Sequence, residues 1–408
     1  METTKQLFTE KQLDNLAASL VWGMKTSRTG RYRRGDIVLV ITDLAALDLA
    51  RKINAKLIKD GLNPVVKINH PHAMDYDYYK LADASQLKFV SPGTKELYDN
   101  LNGLIMLRAP ESITHLKDID PKKIGARELA LRFTTVARFN RQARGLLGWT
   151  LTYLPTAATA KEAGLTLKDF TGQIVKACFL NDKDPIAKWT EIAKRQNEFM
   201  KILNKTTRQT VFFHVESKNT DLKIVPGEKR QWLGGRGCNI PSFELFLSPD
   251  WRGTAGVFYA NLPSYRNGNL VEGVRLEFKN GSAVAVKATA GEKFVQKQLA
   301  LDKGANQVGE FSLTDTRFSN IDKFMANTLF DENFGGKHGN CHIAVGSAYA
   351  DSYDGDVSKF TKAQKQRLGF NDSALHWDLV NTEPKRVTAH LKNGQTRIIY
   401  EKGEFSLS

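Results

Sequence analysis

Cysteine is scarce: Cys178, Cys238 and Cys341 are the only three in 408 residues. They are odd in number, far apart and without a CxxC spacing, which excludes a disulfide framework and fits a reducing compartment. No apolar run approaches the ~18 residues of a membrane span. The opening Met1-Glu-Thr-Thr-Lys-Gln-Leu-Phe8 lacks the basic-then-apolar order of a secretory leader. These absences predict a cytoplasmic protein with no membrane partner. No GxGxxG or GxxxxGK[ST] follows the first apolar run, which removes a nucleotide-binding reading. Internal repeats and low-complexity segments are missing as well.

What is present is the composition of a globular chain, 41% hydrophobic and 25% charged, long enough for two domains. The net charge of +15 is compatible with nucleic acid, an anionic surface or simple solubility, and charge alone does not choose. The basic stretch Lys25, Arg28, Arg31, Arg33, Arg34 with Tyr32 between reads as a solvated loop, because no nucleic-acid motif surrounds it. Arg138, Arg141 and Arg144 share a helical face and suit the negative end of a helix. No nucleic-acid partner is expected.

The periodicity predicts an amphipathic helix over 9–24, with Leu13, Leu16, Leu20 and Met24 on one face and Thr9 with Gln12 as a capping box. Residues 36–41 form a strand apolar on both faces, followed by a helix that Asp43 caps and that ends near Gly61, and then a strand at 63–68. The alternation continues with a strand at 103–107 and a helix over 126–144 that Gly145 stops. This order implies a layered α/β domain with a parallel sheet over 1–205. A short helix at 155–164 and a longer one from Asp184-Pro185 close it. From 206 to 408 the chain turns to strands and tight turns, with hairpins at Asn280-Gly281 and Asn393-Gly394, and reads as an α+β domain. The fold class is therefore α/β in two domains.

The chemistry gathers in that second half. In His376-Trp377-Asp378, strand alternation puts imidazole and carboxylate on one face and the indole on the other. A glycine-rich turn between Glu332 and His342 can bring both to one centre, and Glu244 and Glu310 add carboxylates. Mixed carboxylate and imidazole donors suit a pair of divalent cations with a bridging carboxylate and open positions. Cys341, beside His342, points the opposite way and is expected to pack. His214 reads as structural, and His70 and His72 flank Pro71 without an acid cluster.

These residues carry a resemblance. NIPSFE ending in Glu244, GE with Glu310, LFDEN with Glu332, HIAVG with His342, SAY with Tyr349 and HWDL at 376–379 resemble the aminopeptidase T family of thermophilic metalloproteases. PTAATAKEAG at 155–164 and DPIAKW at 184–189 extend the likeness over nearly the whole chain. The resemblance implies a dinuclear metallo-aminopeptidase, usually a homodimer, acting on peptides with a free N-terminus. It places Glu244, Glu310, Glu332, His342, His376 and Asp378 on the metal-ligand positions for two divalent ions, zinc, cobalt or manganese, and Tyr349 on an active-site tyrosine. Glu310 is the first candidate for the general base and Tyr349 for an oxyanion donor. The stretch between Glu332 and His342 departs from the family pattern in length and introduces His338 as a rival imidazole. Two other readings stand beside this one: a noncatalytic binder of an anionic partner on the same scaffold, and a metallohydrolase of a nonpeptide amide or ester.

Overall fold

The computed structural model describes residues 4–266 and 268–406. By internal packing the chain divides into two compact units, Met1–Trp189 with Arg236–Pro241, and Thr190–Gly235 with Ser242–Ser408. Position 205, where the sequence shows a change of texture, lies inside the continuous helix Pro185–Gln209. An unbroken helical period offers no turn signal at which to divide it.

The first unit is built on a four-stranded parallel sheet in the order Asn63–Ile68, Ile37–Thr42, Gly103–Arg108, Gly148–Tyr153. Parallel neighbours need crossovers, and the helices Leu47–Lys59 and Pro121–Ala143 lie in them. The opening helix spans Glu10–Thr26 and has the expected capping box: Gln12 N–H donates to Thr9 Oγ1 at 3.2 Å while Thr9 N–H donates to Gln12 Oε1 at 2.8 Å. Leu13, Leu16, Leu20 and Met24 are buried along it. Asp43 does not cap a helix through its side chain. A 3-10 turn, Leu44–Ala46, comes first, and the Asp43 carboxylate accepts from Asn69 Nδ2 at 2.6 Å and Ala109 N–H at 2.7 Å. Tying three strand ends together satisfies those buried donors better than a local cap would. The helix expected over 126–144 begins earlier, at Pro121, with Asp120 as its cap.

The second unit holds two larger sheets. The eight-stranded sheet runs Ser282–Lys287, Val274–Lys279, Ala255–Ala260, Asp221–Ile224, Thr210–Ser217, Lys385–Leu391, Thr396–Glu401, Glu404–Phe405. Its first hairpin turns at Asn280 and Gly281, with φ of +50° and +83°, as the Asn-Gly pair requires. The five-stranded sheet runs His376–Asn381, Asn340–Gly346, Val308–Thr314, Glu244–Leu247, Leu233–Gly234, every pairing antiparallel.

Strand alternation decides what the five-stranded sheet does. Leu245, Leu247, Phe311, Leu313, Cys341, Ile343, Val345, Trp377 and Leu379 belong to one buried core cluster with Phe213, Val215, Phe258, Leu276 and Val387 of the eight-stranded sheet. Phe311 is fully buried there, and cutting it to alanine would cost about 3–5 kcal/mol. The intervening residues necessarily face the other way. No helix among the described residues is long and apolar enough to cross a membrane.

Candidate metal centre

The polar face of the five-stranded sheet carries five of the sequence-predicted residues, Glu244, Glu310, His342, His376 and Asp378. Ser312 pairs with His342, Ala344 with both Glu310 and Asp378, Gly346 with His376, and Thr314 with Glu244. All of these are an even number of residues apart along their strands or directly opposite across them, so they share one face. The small side chains of Ser312, Ala344 and Gly346 leave room above the sheet. Gly346 has a φ of +102°, and a Cβ there would lie 2.1 Å from the Leu375 carbonyl oxygen, so no other residue fits beside His376 without strain. A register shift between Val308 and Glu310 re-aims Glu310 at the centre.

Two sets of ligand atoms result. Glu244, Glu310 and His342 form one, and Glu310, His376 and Asp378 the other, each with its donor atoms within 4.8 Å of one another. Glu310 is common to both. His342 Nε2 lies 3.2 Å from Glu244 Oε2, 3.3 Å from Glu310 Oε1 and 4.0 Å from Asp378 Oδ1. His376 Nε2 lies 3.7 Å from Glu310 Oε2 and 3.6 Å from Asp378 Oδ1. His376 Nδ1 donates to the Ser347 carbonyl at 2.8 Å, which holds Nε2 toward the carboxylates. Ser312 Oγ donates to Glu244 Oε2 at 2.8 Å.

The electrostatics follow from burial. Desolvation pushes the Glu310 carboxyl up to about 7, against the hydrogen bond from His342 and with added lift from Glu244 and Asp378. Desolvation also raises Glu332 well above the carboxylate range, reinforced by the charges of Glu244 and Asp378. Burial disfavours charge on His342, but hydrogen bonds to Glu244 and Glu310 outweigh it and raise the imidazole well above its ordinary value. Neither lysine nor arginine is among the main charges acting on Glu310 and Glu332. Buried carboxylates that raise one another's pKa, combined with two imidazoles aimed through Nε2, fit divalent cations.

Glu332 comes from outside the sheet, as the C-terminal cap of the short helix Thr328–Asp331. Asn333 Nδ2 donates to its Oε1 at 3.3 Å. It lines a small cleft with Asp378, Val380, Tyr265 and Thr328 and belongs to neither ligand set. Tyr349 is 42% exposed, and its ring stands edge-on to His376 at 4.8 Å between centroids. Desolvation first, then Glu310, Asp378, Glu332 and Glu244, hold its phenol well above the usual range, so the hydroxyl keeps its proton.

The rival imidazole is elsewhere: the backbone of His338 accepts from Lys385 Nζ at 3.3 Å, and His338 is in neither ligand set. Cys341 faces the core as expected, and burial pushes its thiol up to about 12. In the first unit His72 stacks on His115 at 3.9 Å, accepts from Ser112 N–H at 2.8 Å, and belongs to no set of three ligands among the described residues. His214 pairs with Asp221 of the neighbouring strand at 2.8 Å. Among the basic residues at 25–34, Arg28 is held by Asp36 at 2.7 Å and Lys25 by Asp60 at 2.7 Å. The supporting residues Ser312 and Asn340 escaped the sequence reading. Each stands two positions from a candidate ligand on the same strand, in Glu310-Phe-Ser312 and Asn340-Cys-His342, and the same alternation that relates His376 to Asp378 would have found them.

Over 434 aligned residues the chain is 26% identical to aminopeptidase 2 of Geobacillus stearothermophilus, covering 97% of this chain and 98% of that protein. It is 30% identical to aminopeptidase PepS of Streptococcus thermophilus over 69% of this chain and 67% of that protein. The solved structure of wild-type AmpT from Thermus thermophilus superposes with a TM-score of 0.78 at 22% identity, covering 98% of this chain and 100% of that one, which shows the same mixed α/β fold. The thermophilic metalloprotease (M29) family matches residues 9–405, and the chain belongs to that family.

Proposed function

We propose that this M29 metallo-aminopeptidase works through two divalent cations held on the polar sheet face, with Glu310 shared between them. The observation that carries the reading is the pair of ligand sets meeting at Glu310. Glu244 and His342 would complete one site, His376 and Asp378 the other, and Glu332 would close the centre from the helix cap. Zinc, cobalt and manganese all suit such donors. When bound, the cations supply Lewis acidity toward the scissile carbonyl and bring the pKa of a water down to about 7.

The chain's own residues do the rest. Glu310, within reach of both sets, is the proposed carrier of a proton from the attacking water to the departing amine. Tyr349, whose ring stands edge-on to His376, donates to the oxyanion that develops on the substrate carbonyl. The carboxylate-rich centre favours a substrate ammonium over a blocked terminus, which gives amino-terminal selectivity. Peptides with a free N-terminus are the substrates. The enzyme is further proposed to be a cytoplasmic homodimer, a reading supported by three free cysteines and by the family resemblance.

The test uses chelator-stripped enzyme, an unblocked peptide and its N-acetylated twin, with zinc, cobalt or manganese added back. Metal-restored cleavage of the free peptide alone is expected. Equal cleavage of both peptides, or cleavage without any metal, would overturn the reading. A monomer in sedimentation at micromolar concentration would remove the dimer.

A further inference from the structure

His342 lies within a strand, while Glu332 caps a short helix, and the turn 333–339 separates them. Strand geometry does not set the distance between such residues. One side chain touches both. Asn340 is fully buried at the start of its strand, and its Nδ2 donates to the Glu332 carbonyl at 3.0 Å and the Phe334 carbonyl at 2.6 Å. Those two acceptors orient the amide, with nitrogen toward the turn and Oδ1 on the other side. Oδ1 lies 3.4 Å from His342 Nδ1. An amide oxygen only accepts, so Nδ1 carries the hydrogen in this contact and Nε2 is the atom turned toward Glu244 and Glu310.

The rest of the turn is anchored independently. Gly335 and Gly336 N–H groups donate to the Ile321 carbonyl at 2.8 and 3.0 Å. Lys385 Nζ reaches the carbonyls of His338 and Gly339 at 3.3 and 3.4 Å. A Cβ at Gly339, where φ is +57°, would meet the Tyr400 hydroxyl and the Thr314 carbonyl. The length of this stretch is therefore taken up by a docked turn, and Asn340 is its last fastening before the strand.

We propose that Asn340 is a positioning residue that couples the helix-capping Glu332 to the strand-borne His342, holding the imidazole with Nδ1 protonated and Nε2 available to a divalent cation. The proposal rests on the metal-centre reading above, and its test separates the two.

The probe is zinc, titrated into metal-stripped protein against a chromogenic chelator, together with imidazole proton and nitrogen NMR of the zinc-loaded protein. Asn340→Ala should weaken zinc binding about 10- to 100-fold, the usual effect of losing a ligand's outer partner. Its His342 Nδ1–H resonance should lose the hydrogen-bonded position, and excess zinc should restore turnover. Asn340→Asp retains an acceptor for Nδ1 and should keep the resonance. Zinc affinity in Asn340→Ala within about twofold of wild type, outside the range expected for a lost outer partner, or an unmoved resonance, overturns the proposal. If the alanine variant does not fold, the zinc-loaded wild type decides: a hydrogen-bonded His342 Nδ1–H supports the proposal, and an Nδ1 that lacks its hydrogen or binds the zinc refutes it. His342→Ala is the control, since wild-type zinc affinity there would sink the metal-centre reading itself.

Discussion

Lys385 offers a stability prediction whose sign reverses with pH. The residue is buried, and desolvation lowers its ammonium from 10.5 to about 8. That lowering corresponds to about 3 kcal/mol against the charged form. Its bonds to the carbonyls of His338 and Gly339 are long, 3.3 and 3.4 Å, and together are worth about 2 kcal/mol. Lys385→Met keeps the aliphatic bulk and removes both contributions. At pH 7 the variant should be more stable by about 1 kcal/mol, because the charge penalty exceeds the lost bonds. The unfolded chain keeps this proton up to about 10.5, whereas the folded chain gives it up near 8, so wild-type stability rises across that window. Near pH 10.5 the order should be inverted, with the wild type ahead by about 1–2 kcal/mol. Urea unfolding of both proteins at matched metal content from pH 7 to 10.5 measures this, and other titrating groups cancel in the difference. Parallel stability curves would refute the assignment of a depressed ammonium.

Other expectations concern the centre. Tyr349→Phe should lower kcat about 10²- to 10³-fold with little change in KM, as loss of one oxyanion donor does; an unchanged kcat would remove the tyrosine from the chemistry. Ser312→Ala removes the 2.8 Å bond to Glu244 and should weaken zinc binding about tenfold, read by chelator competition, with the fold intact by circular dichroism. Chelation should lower the melting temperature more at pH 8 than at pH 5. The metal-free Glu310 carboxyl sits near 7 against an ordinary 4.5, so the folded protein takes up a proton in that interval and loses stability as pH rises through it. Equal drops at the two pH values, or a larger one at pH 5, would count against a desolvated carboxylate cluster.

Much of this was legible in the chain itself, where the information is local. Thr9 with Gln12 specified a helix start, Asn280-Gly281 a hairpin, and His376-Trp377-Asp378 two donors on one strand face, since each depends on residues within a few positions of one another. The helix through 205 was not legible as a boundary, because division into units is a matter of packing and leaves no mark in an uninterrupted period. Asp43 shows the same limit: a residue suited to capping was taken instead by Asn69 and Ala109, partners that only the parallel sheet brings near.

For the centre, the donor types, their spacing along each strand and the family resemblance are written in the residues themselves. That Glu244, Glu310, His342, His376 and Asp378 share one sheet face, that Glu332 approaches from a helix cap, and that His338 joins neither ligand set are matters of tertiary folding. Alternation within a strand is a covalent consequence of the extended backbone, but which residue stands opposite which is set by register between segments distant in sequence. That register is held by the apolar reverse face, where Phe311, Ile343 and Trp377 interlock with the second sheet, so the geometry of the polar face is decided by packing that no polar residue reveals.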